Sequence, residues 1–108
     1  PRLEGRYDTL SPGVFAFMRQ LVALCRDRGV RLTICGEMAG RPLEAMALIG
    51  LGVRRLSMAP ASVGPVKEMV RSMNADNVEQ YVLSLMDSSA KSLRSRLKAF
   101  AIDHGVKL

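Results

Sequence analysis

Val30-Arg31-Leu32-Thr33-Ile34-Cys35, followed at once by Gly36-Glu37-Met38-Ala39-Gly40 and then by Pro42 opening a helical pattern, is the stretch that decides how this chain is read. The apolar run Val30 to Ile34 is too short for a helix and rich enough in β-branched residues to be a fully covered strand ending at Cys35. That places a thiol on the rim of a sheet. In α/β proteins with parallel strands, the carboxyl ends of the strands display the reacting groups, and flanking glycines let a substrate come close to the backbone. The second cysteine, Cys25, gives the contrast, because it falls inside a helical apolar stripe and reads as ordinary core.

Upstream, Ser11 and Pro12 form a cap and first-turn pair, and Val14, Phe17, Met18, Leu21, Val22 and Cys25 repeat at helical spacing until Gly29, which predicts a helix over 12–28. Downstream, Pro42 starts a second helix through Leu51 that is apolar nearly all round (Leu43, Ala45, Met46, Ala47, Leu48, Ile49) and should be heavily buried, with Gly50 and Gly52 ending it. Arg55-Leu56-Ser57-Met58 reads as a second short strand, and Pro60, Ser62, Gly64 and Pro65 as the loop after it. A third helix carries Val66, Met69, Val70 and Met73. Asn74 can close it, and Asp76 or Asn77 can cap a fourth with Val78, Tyr81, Val82, Leu85 and Met86 on one face. Ser88 or Ser89 caps a fifth, whose stripe is Leu93, Leu97, Phe100 and Ala101 before Gly105. The order is α-β-α-β-α-α-α.

Two strands joined by a helical connection of this length should lie parallel, with a right-handed crossover. Such a pair leaves both sheet edges unpaired and broad apolar helix faces without cover. The segment is therefore expected to belong to a larger parallel barrel or to pair with another copy. Helix-strand alternation with a reactive group at a strand's carboxyl end favours a (β/α)8 barrel over an open sheet, with the loop after Met58 opening on the same face as Cys35.

The chain has 108 residues and begins Pro1-Arg2-Leu3-Glu4-Gly5, which reads as a linker, so it is expected to be a single-domain piece of something longer. No apolar stretch approaches the ~20 residues needed to span a bilayer, and no basic-then-apolar leader opens the chain. Two cysteines without spaced partners make neither a disulfide framework nor a zinc knuckle, which fits a reducing cytoplasm. A net charge of +6 and a pI near 10.0 invite a nucleic-acid reading. The basic residues are scattered, however, and the densest cluster (Lys91, Arg94, Arg96, Lys98) lacks aromatic neighbours for base stacking. It reads as the solvated face of an amphipathic helix, so neither a nucleic-acid nor a membrane partner is expected.

The run Thr33-Ile34-Cys35-Gly36-Glu37-Met38-Ala39-Gly40, followed by Ala45 to Gly52 and then Leu56 to Lys67, resembles the end of the PEP-binding barrel of the PEP-utilising enzymes. Within that superfamily it is most similar to enzyme I of the bacterial phosphotransferase system, the PEP-protein phosphotransferases, and its Met58 to Pro65 stretch is closer to the nitrogen-type form. Tyr7 and Leu10-Ser11-Pro12 also match the approach to the penultimate barrel helix. Read this way, residues 1–108 are the last two strand-helix units of a (β/α)8 barrel plus C-terminal helices.

The resemblance implies a cytoplasmic, Mg2+-dependent, homodimeric enzyme that moves the phosphoryl group of phosphoenolpyruvate (PEP) onto a histidine of its own N-terminal region. From there the group passes to the carrier HPr or its nitrogen-type counterpart. One catalytic residue carries over: the cysteine at the position of Cys35 is the general acid that protonates C3 of the enolate left when PEP loses its phosphoryl group. The chemistry suits a thiol, which titrates near ~8.5, holds its proton at neutral pH and yields it to a carbanion-like carbon. The phosphate-binding arginines, the Asp/Glu pair for Mg2+ and the phosphorylated histidine belong upstream of Pro1; neither Arg2 nor Arg6 matches the nearest expected arginine. The 108 residues alone are therefore expected to be inactive.

His104, at the end of the last helix, reads as a residue favouring the helix dipole rather than a phosphoacceptor. Glu37 reads as a loop glutamate bonding backbone amides rather than a ligand, and the seven methionines as core filler. Two other classes stand beside the enzyme reading. A cysteine-dependent hydrolase would need a base for Cys35, and the lone histidine sits in the wrong part of the chain. A non-catalytic module would use these helices as a dimerisation surface.

Overall fold

A computed structural model describes residues 8–108. Arg2, Arg6 and Tyr7, with the readings placed on them, lie outside the described residues. Among the described residues the elements run α1 (Pro12–Asp27), β1 (Ile34–Cys35), α2 (Glu37–Gly40), α3 (Pro42–Gly50), β2 (Leu56–Ser57), α4 (Pro60–Ser72), α5 (Ala75–Ser84) and α6 (Arg94–Asp103). The chain is mainly helical, with a small parallel sheet in which Ile34 faces Leu56 and Cys35 faces Ser57. The expected parallel pairing forms, and the single-turn α2 adds one helix to the expected order.

α3 lies at the centre because it is apolar on almost every side. Ala45, Met46, Ala47 and Leu48 have no solvent exposure, and α2, α4, α5 and α6 all pack on this helix. Each large side chain so buried contributes about 1.5–3 kcal/mol. Gly50 is the last residue of α3, as read, and packing also keeps it small: a Cβ there would stand 2.8 Å from Val82 Cγ2 and 2.9 Å from Val78 Cγ1 on α5. Gly52 (φ +105°) is the terminator. Its N–H donates to the Ile49 carbonyl and the Val53 N–H to the Leu48 carbonyl, both at 3.0 Å, the paired closure that a left-handed residue after a helix permits.

Several expectations are corrected. α1 starts as read, with the Ser11 hydroxyl accepting from Val14 N–H at 3.3 Å and Pro12 in its first turn. It buries Phe15, Met18 and Val22, however, leaving Phe17 63% exposed and Leu24 half exposed. Both stripes fit a 3.6-residue period, and the packing partner chooses between them. The strand over 30–35 shortens to Ile34–Cys35 and is not covered on both faces: Leu32 and Ile34 are half-buried while Arg31, Thr33 and Cys35 are exposed, the alternation of a strand with one open face.

The loop expected over 60–65 is helix. Pro60 takes the first-turn position where its missing N–H costs nothing. Pro65 one turn later leaves the carbonyl of Ala61, an exposed residue, to solvent. On α4, Val66 and Met69 are buried as read, but Val70 is exposed. Asn74 does not close α4; it is the N-cap of α5, accepting from Asn77 N–H at 3.0 Å. Neither Ser88 nor Ser89 caps the last helix, which begins at Arg94, with the Leu93 N–H bonded to the Leu10 carbonyl at 2.6 Å.

Candidate active site

β1 ends at Cys35, whose side chain is exposed. Gly36 follows with φ +96° and ψ −163°, a backbone region essentially restricted to glycine. A Cβ there would meet no atom within 4 Å, so the direction of the chain requires this glycine, not a crowded approach. Gly40 is the position where close approach does count, since a Cβ would lie 3.0 Å from Ser62 Oγ and 3.4 Å from Met58 Cβ. The turn after β1 and the loop after β2 thereby face each other across a cavity of about 630 Å3, walled by Cys35, Glu37, Arg41, Ser57, Met58 and Ser62 among others. The loop after Met58 does open beside Cys35.

Behind this rim runs a chain of charges that the sequence reading missed. Arg41 precedes Pro42 and takes the extended conformation that position favours (φ −103°, ψ 127°). Its guanidinium Nε donates to Glu44 Oε2 at 2.6 Å, and its Nη1 lies 3.5 Å from Glu37 Oε2. Glu44, 2% exposed, is the one buried charged residue among those described. Arg94 Nη2 reaches the same Glu44 oxygen at 3.4 Å and Asp8 Oδ1 at 2.9 Å. Partial burial by itself would raise the Asp8 carboxyl. Hydrogen bonds from Arg94, Ser92 and the Leu10 N–H outweigh it and hold Asp8 at about 2, below the usual carboxylate range.

The signal for Glu44 was in the sequence. A lone acid in a helix otherwise apolar all round is buried, and a buried acid is paired. Arg94, read as part of a solvated face, is instead half-buried and doubly paired. Glu37 is not held by backbone amides; its side chain is 91% exposed and its partner is Arg41. Cys25 is half-buried rather than core, beside a separate small cavity with Val30 and Gly52. His104 is exposed at the C-cap of α6, its Nδ1 2.9 Å from the Phe100 carbonyl and its ring stacked on Phe100 at 4.0 Å. It borders a different cavity, with Tyr81 and Asn77. Among the described residues no group of three or more His, Cys, Asp or Glu side chains could hold a metal ion. These residues do not fit a Mg2+ site.

Residues 1–75 match the family described as PEP-utilising enzyme, PEP-binding domain. The chain belongs to the PEP-utilising enzymes. The matched segment contains Cys35 and every residue around its cavity, while Arg94 lies beyond it. The chain is similar to proteins named phosphoenolpyruvate-dependent phosphotransferase system from Salmonella typhimurium (33% identical over 97% of the chain) and Escherichia coli (37% over 97%). It is also similar to a phosphoenolpyruvate-protein phosphotransferase of Borreliella burgdorferi (26% over 83%). It spans 14% of the length of each of the first two and 16% of the third. No helix among the described residues is long and apolar enough to cross a membrane.

Proposed function

We propose that this chain supplies the proton-donating wall of the active site of a PEP-protein phosphotransferase, with Cys35 as general acid. The P–O bond of PEP breaks as the phosphoryl group passes to a histidine elsewhere in the parent protein, leaving the enolate of pyruvate. The Cys35 S–H gives its proton to C3 of that enolate, and the resulting thiolate is reprotonated from solvent before the next turnover. The phosphorylated histidine then serves an HPr-like carrier, of the sugar or the nitrogen type, in the cytoplasm. A Mg2+ ion would have to be held by side chains outside the described residues, where it would supply neutralisation of the phosphoryl charge. In this reading β1 and β2 are two neighbouring strands of a (β/α)8 barrel, and their carboxyl ends carry the site.

One observation carries the reading: an exposed thiol at the carboxyl end of β1, on a cavity that lies wholly inside the residues matched to the PEP-binding domain. The names of the relatives support the reaction class. The test is Cys35→Ala in the full-length enzyme. Pyruvate formation should fall on the order of 100- to 10,000-fold with PEP affinity little changed. Cys35→Ser should recover little, because a hydroxyl is a far weaker acid. Near-normal pyruvate formation by Cys35→Ala at saturating PEP and carrier would falsify the role.

A further inference from the structure

We infer that Glu44 is a positioning residue for the Cys35 turn, acting through Arg41. The inference rests on the reading of Cys35 as proton donor. The chain is held before the thiol by the β1–β2 ladder and after it by buried Ala39 and by Gly40 against Ser62, but the link at Gly36 and Glu37 between them is open. Gly36 has no atom packed where a side chain would be, and Glu37 beyond it is 91% exposed at its side chain. Glycine in an open turn is the most freely pivoting residue available, yet a proton donor must be held within a fraction of an ångström of its acceptor carbon. Arg41 braces that open link from the side. Arg41 spans from Glu37, two residues after the thiol, to Glu44 on the buried face of α3, and both Arg41 and Glu37 line the cavity.

The two legs differ in strength. The Glu37 leg, at 3.5 Å and open to solvent, is screened and weak. The Glu44 leg is a 2.6 Å charge-assisted bond to a carboxylate whose side chain is 3% exposed, which fixes the guanidinium fork. Arg94 anchors that carboxylate from the other side at 3.4 Å and is itself clamped by Asp8 at 2.9 Å. The start of α6, outside the segment matched to the PEP-binding domain, is thereby tied to the rim on which Cys35 stands.

The experiment uses the full-length enzyme with Arg41→Gln, Glu44→Gln and Cys35→Ala, alone and combined. Arg41→Gln leaves Glu44 paired with Arg94 at 3.4 Å, and the unfolding midpoint of each variant is measured beside its turnover so that a loss of fold is told apart from a loss of positioning. Arg41→Gln and Glu44→Gln should each lower kcat for pyruvate formation about 5- to 20-fold and leave the KM for PEP within about twofold. In the Cys35→Ala background the same changes should cost less than about twofold, because a residue that acts through the thiol has nothing left to position. Equal losses in both backgrounds, or wild-type turnover by Arg41→Gln, would overturn the inference while leaving Cys35 as the acid. Wild-type turnover by Cys35→Ala alone would overturn both, and marks the failure of the underlying reading.

Discussion

Cys35 stands directly across the parallel ladder from Ser57, so the ends of β1 and β2 turn toward the same cavity. The thiol is thus presented beside the opening of α4, while Cys25, ten residues earlier, is half-buried against the body of the fold.

The first expectation concerns access. With iodoacetamide under native conditions, Cys35 should be alkylated well before Cys25, because access limits thiols of otherwise similar chemistry. In the full-length enzyme a bound PEP analogue should slow labelling at Cys35 and leave Cys25 unchanged. Peptide mass mapping over time reads both sites. Equal rates, or protection confined to Cys25, would place the substrate elsewhere.

Gly36→Ala tests the turn. The native φ of +96° with ψ −163° costs a side-chain-bearing residue about 1–3 kcal/mol. Because nothing packs against the site, the turn should relax rather than unfold the domain, carrying Cys35 out of alignment. The expected result is a marked fall in kcat with a shift in unfolding free energy below about 1 kcal/mol. Wild-type turnover in this variant would show that the turn's direction is unimportant.

Gly50→Ala tests the core. Alanine is the better helix former by up to about 1 kcal/mol, but the new Cβ would press on Val78 and Val82 at 2.9 and 2.8 Å, both essentially without exposure. Overpacking of this kind costs about 1–3 kcal/mol and should win. Denaturant titration should show a lower midpoint, partly restored by adding Val82→Ala. A rise in stability would mean that α3 and α5 separate more easily than their packing implies.

Acid should unpick the Asp8–Arg94 clamp. Asp8 has a folded-state pKa of about 2, below its unfolded value, so the unfolded chain binds more protons between the two and stability rises with pH there. The contribution is complete above about pH 5 and is lost as pH falls toward about 2. Asp8→Asn should therefore be less stable than wild type at neutral pH, with the difference shrinking through that window. Unfolding midpoints measured from about pH 6 down to about pH 2 decide it; a constant difference would detach the effect from Asp8 ionisation.

Local chemistry and periodicity alone were enough for much of this. The parallel pairing of the two short strands follows from the length of the helical connection between them, and the cap at Ser11, the proline starts at Pro12 and Pro42, the stop at Gly52 and the burial of the apolar helix after Pro42 are set by residues within a few positions of one another. So was the place of Cys35 at a strand's end. What only the tertiary structure decided was every choice between locally equivalent options. Phe15 rather than Phe17 faces inward because the neighbouring surface, not the period, selects the stripe. Asn74 can either close one helix or cap the next, and the extended backbone of the α4–α5 junction makes it a cap. Prolines 60 and 65 read as loop because their rings forbid only particular hydrogen bonds, and whether those bonds are needed depends on position within a helix and on exposure to solvent. The charge chain from Asp8 through Arg94, Glu44 and Arg41 to Glu37 was beyond a linear reading, because its members join residues as far as 86 positions apart, brought together only when α3 and α6 pack.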